Sequence, residues 1–339
     1  MNLRCAVLLF AAFVATAVAQ ENPARPQSAT NPLDSLDADQ IQKAIDALRQ
    51  THVRGPSLDA TALTRATLRG LLESLSPGAE LAGAEPATAD APFRSEILDG
   101  RAGYIRLGSL SAQNLGQLDT ALRDFTENKV HGVVLDLRAT PETTDFALAA
   151  QAAGRFVPAG TALFSLAGSA PGSDRDFVTE GEPLFRGVIV VIVDVDTAGA
   201  AEALAATLRW NARALLVGAR TSGRCVEFSL VPLGGEHQMR IASAEVRVAG
   251  QPVYPRGLRP DIEVAQDDET RDAILEEALE KGMAPFVFET ERAKLNEAAL
   301  VAGTNPEIDS EPSAAGLVDR PLQRAVDLVT AIKLFRNQD

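Results

Sequence analysis

The chain has 339 residues, of which 46% are hydrophobic, 5% aromatic and 23% charged. This length suffices for one large domain or two modest ones, and the apolar content suffices for a sizeable core. The formal net charge of −14 argues against nucleic acid and anionic membranes as partners, because both carry negative charge themselves.

Residues 1–19 have the features of a secretory signal peptide. Arg4 precedes the apolar stretch 6–14, and Ala17-Val18-Ala19 has the A-x-A form of a cleavage site. A membrane anchor would need an apolar run of about 20 residues. We therefore expect export across an inner membrane and cleavage, with the mature protein in a periplasm or outside the cell.

The next segments are predicted to be a flexible leader and a helical arm. Residues 20–36 are rich in Pro, Asn, Ser and Gln, which favours a flexible leader. Residues 37–78 are predicted to be helical, and the first helix begins at Asp37, which has the capping-box spacing to Gln40. The second helix has four leucines at the spacing of one buried face, namely Leu68, Leu71, Leu72 and Leu75.

A linker and the core follow the arm. Residues 79–94 are rich in Ala and Pro and are predicted to be a linker. The core, residues 95–265, opens with two short strands around the hairpin signal Asp99-Gly100. Two later stretches, 132–166 and 187–218, are both predicted to be strand, helix and strand.

The remaining segments complete the core and form a helical tail. The run 188–195 is continuously apolar and β-branched, which is typical of a strand buried on both faces. Short alternating segments predict a meander over 228–253. Residues 170–177 are predicted to form a loop. The C-terminal region, 266–339, is predicted to hold helices over 267–282 and 319–335, with a loop over 302–312 between them. These segments predict an α/β fold.

Five blocks, in order and at the expected spacing, resemble the core of the tail-specific (carboxyl-terminal-processing) serine peptidases. They are GYIRL at 103–107, GVVLDLR at 132–138, TAGAAE at 197–202, VGARTSGR at 217–224 and GLRPDI at 257–262. The resemblance implies a crotonase/ClpP-like spiralled β-α core with an N-terminal helical arm and a C-terminal helical tail. Many members carry a peptide-binding PDZ domain where this chain has the linker 79–94. Its loss would remove a site that captures peptide ends by strand addition.

The resemblance also places the catalytic pair, and this chain lacks both members. The family uses the second Ser of T-A-S-A-S-E as nucleophile and the Lys of T-x-G-K as its base. Ala201 and Arg224 stand at these positions. Alanine has no hydroxyl, and an arginine stays protonated and cannot accept the proton. We therefore expect no intact catalytic residue.

The oxyanion loop is altered as well. The family reads N-N-P-G-G after its G-x-I-L-D-L-R strand, and its glycine amides line the oxyanion hole, whereas this chain reads Ala139-Thr140-Pro141-Glu142-Thr143. Glu142 would put a carboxylate beside the position where negative charge must develop. Glu142, Thr143 and Glu202 are thus predicted to mark a degenerate oxyanion site.

These departures predict a pseudopeptidase that binds a protein or peptide, including an active homologue, with homo-oligomers as a further possibility. Two alternatives stay open. One is a serine peptidase with a relocated nucleophile, Ser222 or Ser109, with Lys129 as a distant base. The other is a binding protein for small hydrophobic ligands, a role that the resemblance implies through an animal lineage with this fold.

Several single residues allow two interpretations. Arg224 can form a structural ion pair with Glu227 or Glu202, or its fork can bind the carboxylate of a ligand. Cys225, the only cysteine after the signal peptide, is either a small, partly buried residue or a thiol whose pKa is lowered by Arg224. No metal or other cofactor is expected, because the three histidines, His52, His131 and His237, lack the spacing of metal ligands.

Overall fold

A computed structural model describes residues 35–53, 57–82, 90–288 and 317–336. The predicted signal peptide, nearly all of the predicted leader and the predicted loop over 302–312 lie outside the described residues. The chain divides into two compact units, residues 1–69 and 70–339.

The helical arm forms as predicted, but its leucine face is not buried. Helix α1 (Ala38–Thr51) begins with the predicted capping box, since the Asp37 side chain accepts from the Gln40 amide at 2.8 Å and the Gln40 side chain accepts from the Asp37 amide at 3.0 Å. Helix α2 (Ala60–Leu75) has no buried residue, and Leu71 and Leu75 are each 53% exposed. The prediction of a buried face is therefore wrong. The spacing of the leucines decides which side chains share a face, whereas burial depends on another element covering that face.

The core contains a sheet of six strands. These are β2 (Arg94–Leu98), β3 (Ala102–Arg106), β4 (Gly132–Asp136), β7 (Val188–Val193), β8 (Leu215–Gly218) and β12 (Ile262–Glu263). Their order across the sheet is β12-β8-β7-β4-β3-β2, and all pairs are parallel except the β2–β3 hairpin. Every residue of β3, β4 and β7 is buried, which for β7 confirms the prediction from its continuous apolar run.

A second sheet is antiparallel. Its strands are β1 (Ala79–Ala82), β5 (Ala162–Gly168), β6 (Arg175–Val178), β9 (Val226–Gly234), β10 (His237–Val248) and β11 (Gln251–Pro252). Strand β10 is central, because it pairs with β1, β5, β9 and β11. The pairing of β9, β10 and β11 confirms the predicted meander.

Two predictions are corrected by the second sheet, and the sheet to which a third predicted strand belongs is decided by it. Residues 79–82, predicted to begin a linker, form β1, and the predicted loop 170–177 ends in β6. Strand β5 pairs with β10 and β6 instead of returning to the sheet that holds β4. The sequence of a strand does not determine which strand it pairs with. A strand-helix-strand pattern therefore does not predict whether its two strands belong to the same sheet.

Helices cover both faces of the parallel sheet. Helices α3 (Ala112–Glu127), α4 (Phe146–Gly154) and α5 (Ala200–Asn211) pack with Val133 and Leu135 of β4 in one core. Helices α6 (Asp268–Lys281), α7 (Ala284–Val287) and α8 (Arg320–Arg336) pack with Val134 of β4 in the other. Successive residues of the strand thus face opposite cores.

A buried ion network joins the end of β4 to helix α8. Arg138 donates to Asp136 and Asp319 at 2.7 Å each, and Asp319 also accepts from the Leu322 amide at 3.0 Å in the first turn of α8. Burial would raise the pKa of Asp136, but the Arg138 charge and hydrogen bonds outweigh burial and hold that pKa below its usual value. The Tyr104 hydroxyl completes the network with a 2.9 Å bond to Asp136.

Candidate functional site

The sequence-predicted site residues meet at the carboxyl ends of three parallel strands. Strand β4 leads into the loop that carries Glu142 and Thr143, β7 leads into the turn before α5, and β8 leads into the loop that carries Arg224. These ends lie side by side because β4, β7 and β8 are neighbours. The carboxyl edge of such a sheet is where ligands bind in open α/β folds.

Gly199 brings the first of these loops against helix α5. Its φ is +57°, and a Cβ at this position would lie 2.5 Å from the Thr143 carbonyl oxygen, so the close approach depends on glycine. The Ala200 amide donates to that carbonyl at 2.8 Å, and the Ala201 amide donates to Ala198 at 3.2 Å. Two amides at the start of α5 are therefore already engaged and are not free to bind an oxyanion.

Arg224 forms an ion pair with Glu142. The Nη2 atom of Arg224 contacts Oε2 of Glu142 and lies 3.8 Å from Oε1 of Glu80 on β1. Arg240 on β10 binds Glu80 at 2.8 Å and Glu142 at 3.3 Å. We name these four side chains, in which each acid contacts both arginines, the charge cluster.

The charge cluster corrects the predicted partners of Arg224. Glu227 binds Arg175 at 2.6 Å instead, and Glu202 is occupied by its own loop. The interpretation of Arg224 as a member of an ion pair is confirmed, but the acid that it contacts is Glu142, in the loop after β4. The cluster is partly buried, and the Arg240 guanidinium lies 4.3 Å from the centre of the Phe228 ring. This stacking fixes Arg240 further, since an arginine over an aromatic face is attracted to the ring.

Glu202, fully buried at the start of α5, anchors the loop that carries Arg224. Its carboxyl group accepts from the Thr221 hydroxyl, from the Gly223 amide at 2.9 Å and from Ser222 Oγ at 3.1 Å. Burial raises the pKa of Glu202, although these hydrogen bonds oppose the shift. Ala201, its neighbour in the helix, is also fully buried, so the position that the resemblance assigns to the nucleophile presents a methyl group inside the protein.

Comparison with known proteins tests the resemblance. The family model described as peptidase family S41 matches residues 101–264. These residues, just under half of the chain, are thus similar to the peptidase family S41. The match confirms the resemblance and the fold class predicted from the sequence.

Two relatives and one solved structure illustrate what the chain is similar to. The carboxyl-terminal-processing protease of Synechocystis sp. is 29% identical over 204 residues, which are 58% of this chain and 47% of that protein. The chloroplastic carboxyl-terminal-processing peptidase 1 of Arabidopsis thaliana is 29% identical over 166 residues, 47% of this chain and 32% of that protein. The chain thus spans less than half the length of these relatives. A solved structure from Parabacteroides merdae, 16% identical with a TM-score of 0.53, covers 74% of this chain and 90% of that one and shares the fold.

The two serines considered as alternative nucleophiles, Ser222 and Ser109, do not lie at the same edge of the parallel sheet as Lys129. Ser222 Oγ is bonded to the Glu202 carboxyl group, as above, and accepts from the Arg224 amide at 3.1 Å. Ser109 Oγ accepts from the Ala91 amide at 2.8 Å. Lys129 precedes β4 and is exposed, so it lies at the amino edge of the sheet, whereas both serines follow the carboxyl ends of strands. The proposed pairing of either serine with Lys129 is therefore wrong.

Cys225 is a buried residue and not an activated thiol. Its side chain is fully buried, and its Sγ donates to the Gly199 carbonyl at 3.4 Å. Burial, together with the nearby Glu202 carboxyl group, raises the pKa of Cys225 well above its usual value. The interpretation of a reactive thiol is wrong, because the effect of burial exceeds any effect of Arg224.

Two members of the charge cluster were missed by sequence reasoning. Glu80 fell in the predicted linker and Arg240 in the predicted meander, and neither position carries a local motif. Only the antiparallel register of β1 and β10, which places Glu80 opposite Arg240, brings them to the site.

The described residues contain no group of three or more His, Cys, Asp and Glu side chains that could hold a metal ion. Within the same ranges, no helix is both long and apolar enough to cross a membrane.

Proposed function

We propose that this protein is a catalytically inactive member of the S41 family that acts by binding a polypeptide. The observation that carries the proposal is the ion pair of Arg224 with Glu142, together with Ala201 at the position that the resemblance assigns to the nucleophile. Acyl transfer needs a nucleophile, a proton acceptor and donors for the oxyanion. Ala201 supplies no nucleophile, and Arg224 is a cation that cannot act as a base.

The electrostatics of the site support the same conclusion. Glu142 places a carboxylate in the loop that supplies oxyanion donors in the family, and the amides of Ala200 and Ala201 already have acceptors. A tetrahedral oxyanion there would meet a negative charge without free amides to compensate it. Glu142 is itself held by two arginines, so it is not free to move aside without breaking the charge cluster.

The proposed partner is a protein or peptide in a periplasm or in the extracellular space. The signal-peptide pattern of residues 1–19 supports export. The relatives are processing proteases by name, which supports a polypeptide as the bound molecule. An active S41 homologue from the same organism is the first partner to test, and self-association is the second.

The activity test compares the mature protein with an Ala201→Ser/Arg224→Lys variant on an unfolded protein substrate. Loss of a catalytic nucleophile costs about a million-fold in rate, so we expect no cleavage by the native protein. Cleavage by the double variant alone would show that the scaffold still supports chemistry. Arg220→Lys, an exposed arginine that donates to the Arg256 carbonyl, is the matched control. Cleavage by the native protein would refute the proposal.

The binding test uses the purified active homologue. We expect the native protein to bind it and to change its rate of substrate cleavage, measured by titration at a fixed homologue concentration. Arg240→Ala, which opens the charge cluster, should weaken that effect, while Arg220→Ala should not. If the homologue neither binds nor changes its rate, the regulatory form of the proposal fails, and size-exclusion chromatography tests self-association.

One observation favours a second candidate, a serine peptidase with Ser222 as nucleophile. Ser222 Oγ lies 3.1 Å from the Glu202 carboxyl group, which is within the range for proton transfer to a base. A fluorophosphonate probe would then label the native protein, and Ser222→Ala would abolish labelling while Ser109→Ala would not. We expect no labelling of any of the three proteins.

A further inference from the structure

A small cavity lies away from the charge cluster, between the β2–β3 hairpin and helices α6 and α7. Its volume is about 160 Å³. The lining residues are Arg94, Ser95, Glu96, Tyr104, Arg106, Ala278, Leu279, Gly282 and Met283. A water molecule in the liquid occupies about 30 Å³, so the cavity has room for a small ion or molecule.

Two arginines in this lining are directly opposite each other. In the antiparallel register of the β2–β3 hairpin, Arg94 pairs with Arg106. Residues opposed in this way point to the same face with their Cβ atoms about 5 Å apart, and like charges at such positions are destabilising. The hairpin therefore places two positive charges beside one cavity at an energetic cost.

Among the described residues, neither arginine forms a direct ion pair with a carboxylate, although burial raises the pKa of Glu96 and the Arg106 charge, acting from a longer distance, opposes this rise. Arg106 is 6% exposed, and one of its five N–H donors is used by the Leu275 carbonyl at 3.1 Å. In the described ranges, no acid lies within 4 Å of the guanidinium nitrogens of Arg94 or Arg106. Buried arginines are rarely left without such a partner.

Glu96 is the acid in the lining, and it is bound elsewhere. Its Oε1 atom accepts from the Met283 amide at 2.5 Å. Its Oε2 atom packs against Gly282, where a Cβ would lie only 2.7 Å away. The Glu96 carboxyl group is thus held against the α6–α7 junction, and it bridges neither Arg94 nor Arg106.

We propose that this cavity binds a small oxyanion between Arg94 and Arg106. A guanidinium fork donates two parallel hydrogen bonds to the oxygens of a phosphate or carboxylate. An anion in the cavity would satisfy free donors of Arg106 and remove the repulsion between the opposed arginines. The site shares no residue with the charge cluster. A test of anion binding therefore does not depend on whether the proposed function is correct.

The test measures binding of inorganic phosphate and, in a separate series, of acetate to the full mature protein. Isothermal titration and thermal unfolding are recorded at constant ionic strength, with chloride as the balancing anion. Arg94→Gln removes the exposed arginine, and Arg106→Lys keeps the buried charge but loses the fork. Arg101→Gln is the matched control, because Arg101 lies in the same hairpin but pairs with Asp99 at 3.2 Å.

We expect saturable binding of at least one anion by the native protein and by Arg101→Gln. The loss of charge-assisted hydrogen bonds should weaken it about tenfold or more in Arg94→Gln and Arg106→Lys. Phosphate alone would indicate a tetrahedral ligand, and acetate alone a carboxylate. If neither anion binds, or if Arg94→Gln binds as tightly as the native protein, the inference is wrong. Arg94→Gln decides the matter even if Arg106→Lys fails to fold.

Discussion

Glu142 and Arg224, 82 positions apart in the chain, form an ion pair that joins the loop after β4 to the loop after β8. The resemblance assigns one position to the oxyanion loop and the other to the general base. Removing either charge would leave the other partly buried with a single, longer contact, Glu142 with Arg240 at 3.3 Å or Arg224 with Glu80 at 3.8 Å, which is costly. The two residues therefore compensate each other electrostatically, and the degenerate site is a stable arrangement of charges.

This pairing predicts a coupling in stability. Arg224→Ala and Glu142→Gln should each lower the free energy of unfolding by about 1 to 2 kcal/mol, between the values for exposed and buried pairs because both side chains are partly screened by solvent. The double variant should lose about 1 kcal/mol less than the sum of the two. Urea unfolding measures all three. Strictly additive losses would show that the ion pair contributes nothing in solution.

Gly199 should not tolerate a side chain. Gly199→Ala places a Cβ 2.5 Å from the Thr143 carbonyl oxygen at a φ of +57°, so we expect a loss of about 3 kcal/mol, at the upper end for a residue held in this region. Gly116→Ala is the control, because Gly116 lies in α3 with no atom within 4 Å of the added Cβ. That variant should gain up to about 1 kcal/mol from helix propensity. Equal melting temperatures for the two variants would contradict the close approach.

The buried Glu202 predicts a pH dependence. Its pKa is raised in the folded protein, so the folded state holds a proton that the unfolded state releases at about pH 4.3. The contribution of Glu202 to the free energy of unfolding is fully present below that pH and is lost as the pH rises through the folded-state pKa.

The measurement compares the native protein with Glu202→Gln. The free energy of unfolding is measured by urea unfolding at a series of pH values. Its value for the native protein relative to this variant should fall as the pH rises from about 4. Other acids with shifted pKa values, such as Asp194, are common to both proteins and cancel in the difference. A difference that does not change with pH would mean that the pKa of Glu202 is the same in both states.

The Arg138–Asp319 contact should hold helix α8 on the core. Asp319→Asn keeps a side chain that can cap the helix but removes one of the two acids around the buried Arg138, so we expect a loss of about 3 kcal/mol. Amide hydrogen exchange should rise first in α8. Asp327→Asn, at an exposed position of the same helix, should change neither quantity. Unchanged exchange in α8 of Asp319→Asn would show that its apolar face alone anchors the helix.

Local signals in the sequence determined the elements and the identity of the changed site residues. The Asp37–Gln40 capping box, the turn at Asp99-Gly100 and the buried run of β7 depend on interactions within a few residues. The motif frame around Ala201 and Arg224 is equally local. For this reason, the residues that stand at the nucleophile and base positions of the resemblance could be identified without any structure.

Only the tertiary structure decided which residues meet. In the structure, Glu142 contacts Arg224, and Glu80 contacts Arg240 across 160 positions of the chain. Cys225 is buried, β5 belongs to the second sheet, and Leu71 is exposed. These outcomes depend on strand register and on which surfaces cover one another. A short stretch of sequence encodes backbone conformation and periodicity, but the partner of a side chain is selected by the packing of segments that are distant in the chain.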